Sequence, residues 1–227
     1  GSGCGAGGAV CVNLSAEALR ERFAVYGRFC DAGFAGRRLE LRSHLEIFER
    51  STGWPQAAGA RADLVAVMMN PGGSRPLDEP DRTGWAPAMP DRTQYQLMKL
   101  ALLAQAAGHP IRHIRVINLS DLRTPKSAEL FATLATLAGD RHSIFSAHRG
   151  GELRQALGEQ RPSPLLRAWG LARQLEGLAA KAVAGTSHCR VLGLTDNDRA
   201  YRHPLPQRAD FQQRWLEQMA DQIAAAR

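Results

Sequence analysis

The stretch Leu64-Val65-Ala66-Val67-Met68-Met69-Asn70-Pro71-Gly72-Gly73-Ser74 decides the fold. Six consecutive apolar residues that end in a polar turn predict a short strand buried on both faces, as in a parallel sheet. In open α/β sheets, ligands bind outside the carboxyl ends of the strands, and glycines let the backbone approach a ligand closely. Asn70 is therefore predicted to face a ligand crevice, together with Pro71, Gly72, Gly73 and Ser74. The alternative is that Asn-Pro-Gly-Gly is only a tight turn.

Strands and helices alternate along the rest of the chain. Further strands are predicted at 114–117, 165–170 and 189–194, and helices at 94–107, 127–138, 171–184 and 210–225. This alternation predicts a three-layer α/β/α core over residues 61–227, with a central, mainly parallel, four-stranded sheet.

Residues 1–60 are predicted to form an N-terminal layer against the edge of this sheet. Ser15 is a candidate N-cap for a first helix, and the alternation over 38–42 predicts a half-exposed strand. The chain has 227 residues, 44% of them hydrophobic, and shows no break in composition. A single domain over residues 1–227 is therefore expected.

The net charge favours a polyanionic partner. The chain has 29 Lys and Arg against 22 Asp and Glu, a difference of +7, and only three of the basic residues are lysines. Guanidinium groups grip phosphate in a bidentate fork, although an arginine bias also arises from genome composition.

The cysteine spacing and the hydropathy favour a cytoplasmic protein. Cys4, Cys11, Cys30 and Cys189 form no CxxC pair, which fits unpaired thiols in a reducing compartment; an iron–sulfur cluster from all four is the alternative. No apolar run reaches the length of a membrane span, and no signal peptide is recognisable. We expect no membrane partner, no metal and no cofactor, and we favour a monomer.

Four short motifs follow the predicted strands in order: Asn70-Pro71-Gly72, Val116-Ile117-Asn118-Leu119, Ala168-Trp169-Gly170 and His203-Pro204-Leu205. This pattern resembles the uracil-DNA glycosylase superfamily, from about residue 60 to the end of the chain. It is also similar to a bacterial family of unknown function that shares these landmarks and an Asp-x-Thr motif, here Asp91-Arg92-Thr93.

The resemblance implies a monofunctional DNA glycosylase that hydrolyses the N-glycosidic bond of a flipped-out pyrimidine. Asn70 would hold the attacking water, and His203 would donate a hydrogen bond to the base carbonyl as negative charge develops there. Asn118 offers a donor and an acceptor that can read the edge of a pyrimidine, and Trp85 or Tyr95 could stack on the base.

The resemblance also implies contacts with DNA. Leu205 lies where the superfamily inserts a wedge into the duplex, which helps to offset the cost of extruding a base. Candidate phosphate contacts are Arg75, Arg123, Lys126, Arg202 and Arg208.

Each of these side chains has a structural alternative. His203 could simply bond the backbone of its loop, and Asn118 could cap the turn after its strand. Trp169 lies within an apolar strand and is assigned to the core.

Two departures from the uracil-specific branch bear on the substrate. Asn70 replaces the usual Asp, as in the mismatch-specific branch, and Gly72 stands where the uracil-specific branch has a Tyr that crowds the pyrimidine C5 position. An open C5 side predicts a C5-bulky substrate, such as thymine in a mismatch or a hydroxymethylated or glucosylated cytosine of phage DNA. Repair and defence against invading DNA are both compatible with this prediction.

Two other functions remain open. One is a cytoplasmic enzyme that binds a free nucleotide or nucleoside in the same crevice, and the other is a non-catalytic nucleic-acid-binding module. A hydrolase with Ser74 or Ser120 as nucleophile is disfavoured, because neither serine lies in a GxSxG elbow.

Overall fold

The computed structural model of the protein describes residues 14–34, 36–54, 60–197 and 199–225. They form an α/β fold in which helices flank a seven-stranded mixed sheet. The strands are Phe23–Phe34 (β1), Arg37–Glu49 (β2), Leu64–Met68 (β3), Trp85–Pro87 (β4), His113–Asn118 (β5), Leu165–Arg167 (β6), Val191–Leu192 (β7), Thr195–Asn197 (β8) and Ala200–Tyr201 (β9). The helices are Ala16–Arg22 (α1), Arg92–Ala106 (α2), Ser127–Thr136 (α3), Gly150–Leu157 (α4), Glu176–Gly185 (α5) and Ala209–Ala224 (α6).

The strand order in the main sheet is β4-β1-β2-β5-β3-β6-β7, and β8 and β9 pair in a separate hairpin. The strands β5, β3, β6 and β7 are parallel neighbours, with Leu64 opposite Ile114 and Met68 opposite Asn118. All residues of β3 are buried, which confirms a strand covered on both faces. The carboxyl ends of these four strands therefore meet at one edge of the sheet.

The N-terminal segment belongs to the sheet, which differs from the prediction. Instead of lying against the sheet edge as a separate layer, β1 and β2 form a long antiparallel hairpin that extends the sheet from β5, and β4 adds the outermost strand. The sheet thus has seven strands rather than four. The strand expected at 38–42 to be half exposed continues to residue 49 and is buried from residue 41 onward, because β2 lies between β1 and β5.

Helices cover both faces of the sheet. Ala66 and Met68 of β3 belong to a core shared with α1, α2 and α6, whereas Val65 and Val67 belong to a core shared with α4 and α5. Successive strand residues therefore point to opposite helical layers, as expected for a sheet buried on both sides.

The helix and strand ends differ from the predicted ones for local reasons. Asp91 caps α2 through a capping box with Gln94, so this helix begins at Arg92 rather than at residue 94. The third parallel strand ends at Arg167 rather than at residue 170, and Gly170, with φ of 99°, pairs with Tyr201. The helix expected from residue 171 consequently begins at Glu176.

Several charged residues are buried within the sheet, and Glu46, Arg115 and Arg167 have polar partners there. Glu46 of β2 lies 2.5 Å from Nε2 of His113 and accepts from Nε of Arg115 at 2.7 Å, both on the neighbouring strand β5. Arg167 of β6 donates to the Thr186 hydroxyl at 2.8 Å and to the Tyr201 hydroxyl at 3.1 Å. These bonds explain how polar residues occupy interior strands.

Candidate active site

The carboxyl edge of the parallel strands gathers the predicted polar residues. Asn70 follows β3, and Asn118 is the last residue of the neighbouring strand β5. His203 follows β9, in a loop that approaches α2 closely enough for the charge of Asp91 to act on the imidazole.

The side chain of Asn70 is held in one orientation. Its Nδ2 donates to the carbonyl of Leu122 at 3.1 Å, and to the carbonyl and hydroxyl of Thr124 at 3.0 Å each. These bonds join the end of β3 to the segment after β5. They also fix Oδ1 on the opposite side of the amide, where it has no partner among the described residues.

The turn after Asn70 contains two glycines, which leave the space beside it free of side chains. Gly72 has φ of 61°, a left-handed conformation that favours glycine, and a Cβ at this position would have no atom within 4 Å. A Cβ at Gly73 would meet only Cβ of Pro125, at 3.5 Å. The space beside Asn70 is therefore free of side chains on the Gly72 side, and Pro71 and Ser74 on either side of the glycines are buried.

Asn118 is completely buried, and neither its Nδ2 nor its Oδ1 has a hydrogen-bond partner among the described residues. The alternative role of capping the next turn does not apply, because Ser120 supplies that bond: its hydroxyl accepts from the N–H of Leu122 at 3.3 Å. Buried amides without partners are rare in folded proteins.

The protonation state of His203 follows from its contacts. Nδ1 lies 3.2 Å from the backbone N of Leu205, which can only donate, so Nδ1 is the acceptor and the hydrogen is on Nε2. Burial lowers the pKa of His203 below its usual value, although the nearby Asp91 opposes this shift. At neutral pH the imidazole is uncharged, and its Nε2–H is a donor without a partner among the described residues.

His203 lines a groove of about 550 Å³ between the end of β6 and helix α6. Leu171 and Phe211 are exposed at its rim, by 52% and 39%, and Trp215 is buried in its wall. Neither Asn70 nor Asn118 lines this groove. The two amides and the imidazole thus share one edge of the sheet, but they do not line one open cavity.

The two aromatic residues expected to stack on a base lie elsewhere. Trp85 is in β4, the outermost strand, and its ring packs on Trp54 at a centroid distance of 5.2 Å. The hydroxyl of Tyr95 accepts from Nη1 of Arg20 at 2.8 Å, toward α1. The sequence did not reveal these contacts, because Trp54 and Arg20 are distant from Trp85 and Tyr95 along the chain. Trp169 is only 1% exposed and donates to the carbonyl of Arg199, which confirms its assignment to the core.

Most of the cations proposed for phosphate contact are paired within the chain. Arg202 pairs with Asp196 at 2.8 Å, Arg208 with Asp210 at 2.9 Å and Lys126 with Glu129 at 3.4 Å. Arg123 is largely buried and donates to the carbonyl of Ser74 at 2.7 Å. Arg75 is exposed and has no partner among the described residues. The proposed wedge, Leu205, is half buried.

The sequence did not indicate a role for three charged residues near the carboxyl edge, which are Arg42, Asp91 and Asp121. Arg42 and Asp121 are buried, and Asp121 lies 2.5 Å from Arg149, which holds it from the α4 side. Burial raises the pKa of the Asp121 carboxyl, and Arg149 opposes this effect. Asp91 was recognised only as part of a motif, although Asp-x-x-Gln before an apolar helix is a readable capping signal. No comparable signal marks Arg42.

Comparison of this chain with protein-family models, curated proteins and solved structures found no match. Within the described residues, no helix is long and apolar enough to cross a membrane, and no group of His, Cys, Asp and Glu could hold a metal ion. Cys30 and Cys189 are free thiols, whereas Cys4 and Cys11 lie outside the described residues.

Proposed function

We propose that the protein is a monofunctional DNA glycosylase, which hydrolyses the N-glycosidic bond of a flipped-out pyrimidine and leaves an abasic site. The observation that carries this proposal is the fixed amide of Asn70. Its Nδ2 is used by three acceptors of the Leu122–Thr124 segment, so that Oδ1 is left as an oriented acceptor at the carboxyl edge.

The chemistry of glycoside cleavage fits these groups. Breaking the bond develops positive charge on the sugar and negative charge on the base, and a water must attack the sugar carbon. The Asn70 oxygen can orient that water but cannot accept its proton. The neutral His203 can donate its Nε2–H to a carbonyl oxygen of the leaving base without adding a competing positive charge in the resting site.

The open space at Gly72 supports a pyrimidine that is bulky at C5. No described atom lies within 4 Å of the position of a Cβ there, so a substituent on the base meets no side chain. Thymine in a mismatch and the hydroxymethylated or glucosylated cytosines of phage DNA belong to this class. Both a repair role and a defence role against foreign DNA follow from such a substrate.

The surface beside the carboxyl edge of the sheet has some of the features expected for a nucleic-acid partner. Arg75 is exposed and has no partner in the part of the chain that the structure describes, and the exposed Leu171 and Phe211 provide apolar contacts next to His203. Leu171 and Phe211 are better placed to enter a duplex than Leu205, which is half buried.

One observation favours a second candidate, an enzyme that acts on a free nucleoside or nucleotide. Arg202, Arg208 and Lys126 are already paired with carboxylates of the same chain. Each must release its partner before it can bind a phosphate of DNA, whereas a free nucleoside needs none of them.

An excision assay separates these functions. Duplexes that carry uracil, mismatched thymine, 5-hydroxymethylcytosine or its glucosylated form are incubated with the protein and then treated with alkali to break abasic sites. Breaks at a C5-substituted base that disappear in Asn70→Ala, but persist in the control Asn197→Ala, support the proposal. Breaks only at uracil would refute the open C5 side, and hydrolysis of free nucleosides alone would favour the second candidate.

A further inference from the structure

Two buried polar side chains near Asn70 have polar atoms that lack hydrogen-bond partners among the described residues. Arg42 of β2 is 2% exposed, and its Nε and Nη1 have no partner among the described residues. Asn118 of β5 is 0% exposed, and both polar atoms of its amide are likewise unpartnered. Each such group costs stability when it is left unbonded, so a structural role does not account for them.

The two side chains lie on the same face of the sheet, the face covered by α2. Arg42 is opposite Phe29 in the hairpin, and its backbone N–H donates to the carbonyl of Asp121 at 2.9 Å, three residues after Asn118. Phe29 belongs to the core under α2, as does Val116, two residues before Asn118 on the same face of β5. Both Arg42 and Asn118 therefore point to the α2 side of the sheet, at the carboxyl edge.

The turn after β3 covers the same place. Arg123 lies over the ring of Phe29 at 5.4 Å and donates to the carbonyl of Ser74 at 2.7 Å. The hydroxyl of Ser74 is buried and also lacks a partner among the described residues. Polar atoms from β2, β5 and the turn are thus enclosed together.

The charge enclosed there is positive. Asp91 and Asp121 are the nearest acids, but Asp91 accepts from the N–H of Gln94 as the cap of α2, and Asp121 is held by Arg149. Burial lowers the pKa of Arg42 to about 10, so the guanidinium remains a cation at neutral pH. A buried cation that bonds no carboxylate of the described residues has hydrogen-bond donors that an anion could use.

We propose that Arg42 is a catalytic residue that binds the departing base as its anion, with Asn118 bonding the edge of the same ring. The C1′–N1 bond breaks, and its electron pair leaves with the base and spreads onto a carbonyl oxygen that accepts from Arg42. Water forms the new bond to C1′, and the proton that it loses neutralises the base after departure. This proposal rests on the proposed glycosylase function and names the group that stabilises its leaving base.

Because Asn118 is fully buried, the base reaches it when the turn from Pro71 to Ser74 is displaced. Gly72 and Gly73 give this turn the backbone freedom to move, while Asn70 and Arg123 hold it to the segment after β5 when no base is bound.

Binding of free bases tests the proposal without DNA. 5-Nitrouracil is an anion at neutral pH and mimics the leaving base, whereas thymine is neutral and has a similar shape. In calorimetric titrations we expect the wild-type protein to bind 5-nitrouracil about 10-fold more tightly than thymine, because a charge-assisted bond forms only with the anion. Arg42→Met should remove this preference, Arg42→Lys should keep part of it, and the exposed control Arg38→Met should retain all of it.

Thermal unfolding of the base-free variants separates a binding role from a structural one. Since Nε and Nη1 of Arg42 have no partner among the described residues, Arg42→Met should unfold at the same temperature as the wild type or higher. A lower unfolding temperature, equal affinity of the wild type for the two bases, or a preference that survives in Arg42→Met would overturn the proposal. If the preference holds but no DNA base is ever released, the glycosylase function fails while the base site stands.

Discussion

At the scale of single residues, the contacts of Asn70 explain why an amide, and not a carboxylate, follows β3. Two of its three acceptors are backbone carbonyls, which cannot donate a hydrogen bond in return. A carboxylate here would face the oxygens of Leu122 and Thr124. The Asn70 nitrogen therefore bonds the segment after β5, whereas its oxygen has no partner among the described residues.

Asn70→Asp should therefore lower the free energy of unfolding by about 1–3 kcal/mol, because it removes the donor and leaves partly buried carbonyls unpaired. Urea unfolding at pH 7 measures this loss. Asn197→Asp is the matched control, since Oδ1 of Asn197 only accepts, from Arg199 and Ala200, and a carboxylate can do the same. Equal stability of Asn70→Asp and the wild type would show that these bonds do not hold the turn.

The substitution Gly72→Asn tests whether the pocket is open beside C5 of a bound pyrimidine. Asn adopts the left-handed conformation more readily than other side chains, so Gly72→Asn should preserve the turn while placing atoms in the empty space. We expect excision of C5-substituted bases to fall roughly 10-fold relative to uracil. The ratio of initial excision rates on paired duplexes measures this change, and an unaltered ratio would place the C5 group elsewhere.

At the scale of elements, β2 brings titratable groups into the sheet. His44 is 8% exposed and lies 3.6 Å from Glu152 of α4, with Glu46, Arg115 and Arg149 also near it. Burial lowers the pKa of His44 to about 4, from 6.5. At His44 the folded protein therefore binds fewer protons than the unfolded chain between these two pH values, so the contribution of this residue to stability is lost as the pH falls.

This shift predicts that His44 contributes up to about 3 kcal/mol to stability above pH 6.5, and that the contribution is lost progressively between pH 6.5 and pH 4. The unfolding free energy of His44→Asn should therefore fall less than that of the wild type between pH 6.5 and pH 4, while the raised pKa of Asp121 acts in the same way in both proteins. His148→Asn, at an exposed position, should leave the slope unchanged. A parallel slope in His44→Asn would mean that other buried groups cause the acid sensitivity.

The parallel strands could be predicted from sequence because each is an apolar run that ends in a turn. The hairpin could not, because Arg42, Ser43, His44 and Glu46 are polar and are typical of a strand with an exposed face. The burial of His44 and Glu46 depends on partners from α4 and β5 that are distant in sequence. Arg42 was hidden for another reason, since its position depends on a shift in the β1–β2 register between Arg28 and Phe29.

At the scale of the whole molecule, the excess of arginine does not amount to a free basic surface at the proposed site. Arg202 and Arg208 pair with acids, whereas Arg75 is free among the described residues. We expect few phosphate contacts and hence a modest dependence of DNA affinity on salt.

Arg75→Gln should reduce the slope of log K against log salt by about 1, because one phosphate contact and its released counterion are lost. Fluorescence anisotropy with a labelled duplex, at several salt concentrations, measures the slope. Arg112→Gln is the control, since its side chain is 58% exposed and lies 3.9 Å from Glu49 at the amino end of β5, opposite the carboxyl edge. An unchanged slope in Arg75→Gln would place the DNA on another surface.

The most direct test of the glycosylase proposal is the release of a free base, followed by mass spectrometry. Wild-type protein, Asn70→Ala and Asn197→Ala are each incubated with duplex DNA that contains 5-hydroxymethylcytosine, its glucosylated form or mismatched thymine. We predict that the wild type and Asn197→Ala release one of these bases intact, and that Asn70→Ala releases it about 100-fold more slowly. Absence of any released base from all of these duplexes, or equal release by Asn70→Ala, would contradict the proposal.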